Sequence, residues 1–215
     1  MIKAVLFDLD GTLADTALDL GAALNHLLAE EGLPPRPDEQ IRPIASHGAR
    51  ALIRLGFDVQ PEDPAFEPLR QRFLAHYDLH LTDRTRLYDG VVELVAALDE
   101  RGLKWGIITN KPMRFTDRLL PSLPFPVPPA VVVSGDTVGV AKPDPRPMHH
   151  ATQQIRIDPQ HCLYVGDAER DIQAGRNVGM RTALASWGYI ADSDRPLEWG
   201  ADIVIDSPLE LLPFL

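Results

Sequence analysis

The chain holds a single cysteine, Cys162. No disulfide can close within it, so a cross-linked scaffold is excluded and a reducing, cytoplasmic setting is expected. Cys162 opens the apolar run Cys162–Val165 and reads as an inert core thiol. Positive charge is also scarce: 21 Lys and Arg stand against 31 Asp and Glu, a formal charge of −10. An acidic surface repels phosphate backbones and anionic headgroups, which argues against nucleic acid or membrane as a partner. Long apolar runs are missing. The first is cut short at Asp8, too early for the apolar core of a secretory signal. No later stretch approaches the roughly 18 residues that would cross a bilayer. Neither internal repeats nor low-complexity tracts occur. What remains is ordinary for a soluble globular protein: 45% hydrophobic and 24% charged residues over 215 positions, enough for a sizeable core.

Short apolar runs alternate with helical patterns. Lys3–Phe7, Lys104–Ile108, Ala130–Val133, Leu163–Val165 and Ile203–Ile205 read as strands covered on both faces. Val91–Arg101, Arg114–Leu120, Arg146–Ile155 and Arg170–Val178 read as the helices between them. That alternation predicts an α/β fold with a Rossmann-like parallel sheet, its strand ends gathered along one edge. Residues 15–84 break the rhythm. Leu20, Leu24, Leu27 and Leu28 form one helical stripe that Gly32 and Pro34 end. Ala49–Leu55 and Pro68–Leu79 continue in helix. A helical insertion over 15–84 is therefore expected inside a core domain of residues 1–14 and 85–215.

Four segments carry chemistry, each at a predicted strand end. In Asp8-Leu-Asp10-Gly-Thr12, two carboxylates at i and i+2 point the same way. They repel unless a cation offsets them, and hard oxygen donors suit Mg2+; the same residues also suit a plain acidic turn. Thr109-Asn110-Lys111 offers a hydroxyl, an amide and an ammonium to phosphate oxygens, or a helix cap. Lys142 precedes Pro143 and is held extended, able to neutralise a phosphoryl group or to sit as an ordinary loop lysine. Gly166-Asp167 repeats the first motif, and Asp171 follows four residues later; a helix cap with an acidic first turn fits these residues as well.

Together, Asp-x-Asp-Gly-Thr, a strand-end Thr, a Lys and Gly-Asp-x-x-x-Asp resemble the signatures of the haloacid dehalogenase superfamily, over essentially the whole chain. The insertion resembles that family's small α-helical cap. The resemblance implies a phosphatase of small phosphorylated metabolites, a monomer or homodimer, acting through an aspartyl-phosphate. Asp8 would be the nucleophile and Asp10 the acid and base. Thr109 and Lys142 would hold the phosphoryl oxygens, with Asn110 adding a contact. Mg2+ would be held by Asp8, the Asp10 main-chain carbonyl and Asp167, with Asp171 behind them orienting Lys142 or a bound water.

The substrate is expected to be set by the cap. Ser46-His47-Gly-Ala-Arg50 enters a helix there, and His47 and Arg50 are candidate contacts to a substrate carboxylate. The chain resembles the phosphoglycolate phosphatase group. Several phrases (Ser46–Ala51, Trp105–Pro112, Gly188–Ile190 and Trp199–Asp202) resemble the N-acetylmuramic acid 6-phosphate phosphatases. A β-phosphoglucomutase-type mutase keeps all four motifs and stays open. A non-catalytic regulatory module would have lost a catalytic group, and none is lost. A dehalogenase would need no acid at position 10.

Overall fold

The computed structural model describes all 215 residues. Its strands are β1 (Ala4–Phe7), β2 (Ala14–Asp15), β3 (Arg86–Leu87), β4 (Lys104–Ile108), β5 (Val131–Val133), β6 (Cys162–Gly166), β7 (Arg181–Ala185) and β8 (Ile203–Ile205). Its helices are α1 (Ala17–Glu30), α2 (Asp38–Ile41), α3 (Gly48–Phe57), α4 (Phe66–His80), α5 (Val91–Glu100), α6 (Met113–Leu119), α7 (Arg146–Ile155) and α8 (Glu169–Asn177). The chain divides into two compact units, Met1–Ala14 with Leu87–Leu215, and Asp15–Arg86. The second boundary falls two residues later than the 84/85 expected.

The first unit is built on one parallel sheet of order β5-β4-β1-β6-β7-β8. β1 lies central because all four of its residues are apolar and at most 1% exposed, so both its faces and both its edges can be covered. Ala4 and Leu6 join Ile108, Tyr164 and, from α7 and α8, Met148, Ala151 and Ala174 in one core cluster. Each large side chain removed from water there contributes about 1.5–3 kcal/mol. Strands are added first to one side of β1 (β4, β5) and then to the other (β6, β7, β8). Such a reversal opens a crevice at the carboxyl ends of the strands flanking it. Register makes this concrete: Phe7 is level with Ile107 on β4 and Val165 on β6. The residues just beyond leave the sheet on one edge.

β7 was not expected. Its sequence, Arg-Thr-Ala-Leu-Ala, holds one β-branched residue and two alanines, a weak strand pattern. Burial decides it instead. Thr182 to Ala185 are at most 1% exposed, and Asp202 Oδ2 accepts from the Thr182 amide at 2.7 Å and its hydroxyl at 3.0 Å. The strand expected from Ala130 begins at Val131.

The second unit is helical. The α1 leucine stripe is buried and packs on α3 and α4. Gly32, at φ +70°, ends the helix: its amide donates to Ala29, and Leu33 donates to Leu28 at 2.9 Å. That double bond is a Schellman motif, which favours glycine at the left-handed residue. Asp19 on α1 is 1% exposed. Its carboxylate accepts from the amides of Arg84 and Thr85 and from the Thr85 hydroxyl, at 2.7 to 3.2 Å.

Candidate active site

The sheet edge of the first unit gathers the acidic and cationic groups. After β1, Asp8 takes the next ladder bond, donating its amide to Val165 at 2.9 Å. Its carboxylate accepts the Leu9 amide at 2.8 Å, which fixes it at the strand tip. The chain then turns sharply: the amides of Thr12, Leu13 and Ala14 all donate to the Leu9 carbonyl. Gly11 sits at φ +83°, where a β-carbon would also collide with Asp167 Oδ2. Only glycine meets both demands.

Lys142 is the hub. It is 3% exposed, and its Nζ stands 2.9 Å from Asp8 Oδ1 and 2.7 Å from Asp171 Oδ1. The same ammonium donates to the Ile108 carbonyl at 2.8 Å and to the Tyr164 hydroxyl at 2.7 Å. Tyr164 in turn donates to Ile108. Burying a lysine is costly unless its charge is paired and its protons are bound, and here both conditions hold. Asp171 also accepts the Ala168 amide at 3.1 Å, which ties α8 to the cluster at its first turn.

Thr109 continues β4 by donating its amide to Val133, and its hydroxyl accepts the Lys111 amide at 3.1 Å. Asn110 reaches across to the loop that carries Lys142. Its carboxamide accepts the Lys142 amide at 2.8 Å and donates to the Lys142 carbonyl at 3.0 Å. The contact it makes here is therefore with the lysine's backbone.

Asp167 is fully buried beyond β6. It accepts from the Thr12 hydroxyl at 3.2 Å and the Tyr189 amide at 2.7 Å. Carboxylate oxygens of Asp8, Asp167 and Asp171 all lie within 4.8 Å of one another. Burial, reinforced by the fields of Asp171 and Asp8, pushes Asp167 up to about pKa 7 despite the Tyr189 bond. Burial likewise raises Asp8, though Lys142 opposes it. Arg170 is held above its usual range; burial opposes this, and the fields of Asp171, Asp8 and Asp167 outweigh it. Carboxylates crowded and desolvated in this way are stable as anions only beside a cation. Their hard oxygens fit a metal ion.

Of the residues named from the sequence in this unit, Asp8, Asp10, Thr109, Asn110 and Asp167 follow closely on β1, β4 and β6, Lys142 comes from the loop between β5 and α7, and Asp171 from the first turn of α8. His47 and Arg50 belong to the second unit, exposed around the 3-10-to-α3 junction. Tyr164, Thr12 and Tyr189 were missed as site residues. Thr12 belongs to the Asp-x-Asp-Gly-Thr motif. The other two act through one hydroxyl and one main-chain amide, which sequence does not mark.

Residues 5–185 match the model of the haloacid dehalogenase-like hydrolases. The chain belongs to this family. It is 44% identical over 214 residues to the N-acetylmuramic acid 6-phosphate phosphatase of Pseudomonas aeruginosa, covering 100% of this chain and 95% of that one. It is 42% identical over 209 residues to a phosphoglycolate phosphatase of Xanthomonas campestris, covering 97% and 94%. Among solved structures, a predicted phosphoglycolate phosphatase from Haemophilus somnus superposes with a TM-score of 0.82 at 23% identity, over 99% of this chain and 97% of that one. That likeness concerns the fold. The full-length relatives and the family match make the chain a phosphoric monoester hydrolase of the haloacid dehalogenase-like kind.

Proposed function

We propose that this hydrolase removes phosphate from a small, carboxylate-bearing sugar phosphate, in the cytoplasm, by way of an aspartyl-phosphate on Asp8. The observation that carries the reading is Lys142, 2.9 Å from Asp8 at the tip of the central strand. A fixed ammonium beside a buried carboxylate keeps it ionised, and so nucleophilic, and offsets charge as phosphoryl oxygens approach.

Asp8 attacks phosphorus, and the bond to the leaving oxygen breaks as Asp10 delivers a proton to that oxygen. Asp10, now ionised, takes a proton from the water that attacks the aspartyl-phosphate, which returns Asp8 and releases phosphate. The Thr109 hydroxyl and Lys142 hold the phosphoryl oxygens, and Asn110 acts by holding Lys142. Asp8, Asp167 and the Asp10 carbonyl would hold Mg2+, which would supply positive charge against the phosphoryl oxygens. Asp171 keeps Lys142 in place. His47 and Arg50 are proposed as the groups that select a substrate carboxylate.

N-acetylmuramic acid 6-phosphate is the first substrate to test, because of the 44% identity over the full chain and the shared phrases. 2-Phosphoglycolate is the second, on the relative 42% identical. Phosphate release with Mg2+ is measured on both, and on β-glucose 1-phosphate, with Asp8→Asn as control. Preference for 2-phosphoglycolate would overturn the sugar reading. Isomerisation of β-glucose 1-phosphate without release would favour a mutase. Wild-type rates in Asp8→Asn would overturn the mechanism.

A further inference from the structure

Lys111, the ammonium of the Thr109-Asn110-Lys111 motif, is a second buried lysine at the same edge, and its partner is a carboxylate. The residue is 8% exposed. Its Nζ lies 2.9 Å from Asp10 Oδ1, and the two side chains are 5% and 16% exposed. Its main chain is fixed on both sides. The amide donates to the Thr109 hydroxyl at 3.1 Å, and the carbonyl accepts the Gly135 amide at 2.9 Å and the Thr116 hydroxyl at 3.4 Å. A β-carbon on Gly135 would collide with the Asn110 carbonyl, so the two segments are in close backbone contact there. The lysine stem therefore starts from a rigid turn and ends on a carboxylate.

We propose that Lys111 is a positioning residue for Asp10: it holds the plane of the acid–base carboxylate toward the leaving oxygen. An aspartate at a strand tip has two rotatable torsions, and a misplacement of about 1 Å costs roughly 100-fold in proton delivery. One charge-assisted bond to a side chain with a fixed base removes that freedom. Phosphoryl oxygens are left to Thr109 and Lys142. The inference rests on the assignment of Asp10 as acid and base, so the test separates the two.

An alkyl phosphate must receive a proton as its alkoxide leaves, whereas p-nitrophenolate leaves without one. The quantity to measure is kcat/KM, which reports steps through the first phosphoryl transfer, on 2-phosphoglycolate or another cleaved alkyl ester and on p-nitrophenyl phosphate. The ratio within one preparation is independent of the folded fraction, so partial misfolding of a variant does not blur it. For Lys111→Met and Lys111→Gln, the alkyl ester should lose roughly 30-fold or more and the aryl ester less than about threefold. Lys111→Arg, which keeps the charge, should recover most of the difference. Asp10→Asn should show the same alkyl–aryl gap. A gap in Asp10→Asn with equal losses on both esters in the Lys111 variants, or a rise in KM alone, overturns the inference. No gap in Asp10→Asn overturns the reading of Asp10, and the inference with it.

Discussion

Asn110 grips Lys142 by its main chain, accepting the lysine's amide at 2.8 Å and donating to its carbonyl at 3.0 Å. The grip joins the end of β4 to a loop more than thirty residues later in the chain. It explains how a loop lysine can be aimed as accurately as a strand residue. The ammonium that faces Asp8 is fixed at its base by Asn110 and at its tip by Ile108, Tyr164 and Asp171.

Asn110→Ala removes both bonds and leaves a main-chain amide and carbonyl to find new partners. The expected loss of stability is roughly 2–3 kcal/mol, read by urea denaturation. Lys142 should lose its aim, so kcat should fall roughly 100-fold while KM changes by less than about threefold. A side chain that contacted phosphate directly would give the opposite split, a raised KM with weaker inhibition by inorganic phosphate. Steady-state kinetics with phosphate as inhibitor distinguishes the two.

With Asp167 as a metal ligand, as proposed, stability should depend on both pH and metal. Without a cation its folded-state pKa is about 7, against 3.8 for an ordinary aspartate. Folding therefore takes up a proton between those values. The stability associated with the protonated group is fully present below the lower value and is lost as pH rises through the upper one. The whole span is worth roughly 4 kcal/mol. In EDTA, lowering the pH from about 8 to about 5 should raise the melting temperature of the wild type relative to Asp167→Asn, which lacks the Asp167 carboxyl. Each kcal/mol corresponds to roughly 2–4 °C in a chain of this size. Mg2+ should stabilise the wild type more at pH 8 than at pH 6, because at the lower pH it must displace a proton. A pH-independent difference between the two proteins in EDTA would rule out this linkage. Scanning calorimetry gives each of these curves.

The parallel sheet was legible because its strands are nearly continuous apolar runs; Lys104–Ile108 and Ile203–Ile205 match their observed bounds, although β8, at the sheet edge, leaves Val204 exposed on one face rather than covered on both. β7 was not, because Thr182 and its alanine neighbours gain their strand from burial and from Asp202 rather than from their own preference. The charged residues of the site were visible as types at strand ends, and register explains why they meet. Their wiring was hidden. Nothing in Asn110, Lys111 or Tyr164 as letters says that the first binds a backbone, the second a carboxylate and the third a lysine. Asp19 is the clearest case in the helical unit. An acid in the first turn of a helix reads as a solvated group near the positive end of the dipole, yet it is buried and binds the returning chain at Arg84 and Thr85.

Gly188 tests how tightly Asp167 must be held. A β-carbon there would collide with Asp167 Cβ and stand 2.6 Å from its Cγ and Oδ2. The main chain has no slack on that side, because the next amide, Tyr189, is the one that donates to Asp167 at 2.7 Å. Gly188→Ala must therefore push the carboxylate off its Thr12 and Tyr189 partners or displace the loop that carries Tyr189. Neither movement touches β1, β4 or β6, so far-UV circular dichroism should stay unchanged. Metal affinity should fall roughly 10- to 100-fold, the usual consequence of freeing a ligand from its supporting bonds. Activity at low Mg2+ should fall with it and recover in part when Mg2+ is raised. Titration of activity and of melting temperature with Mg2+ measures both. Unchanged affinity in a folded Gly188→Ala protein would mean that the loop yields and that Asp167 is placed by β6 alone.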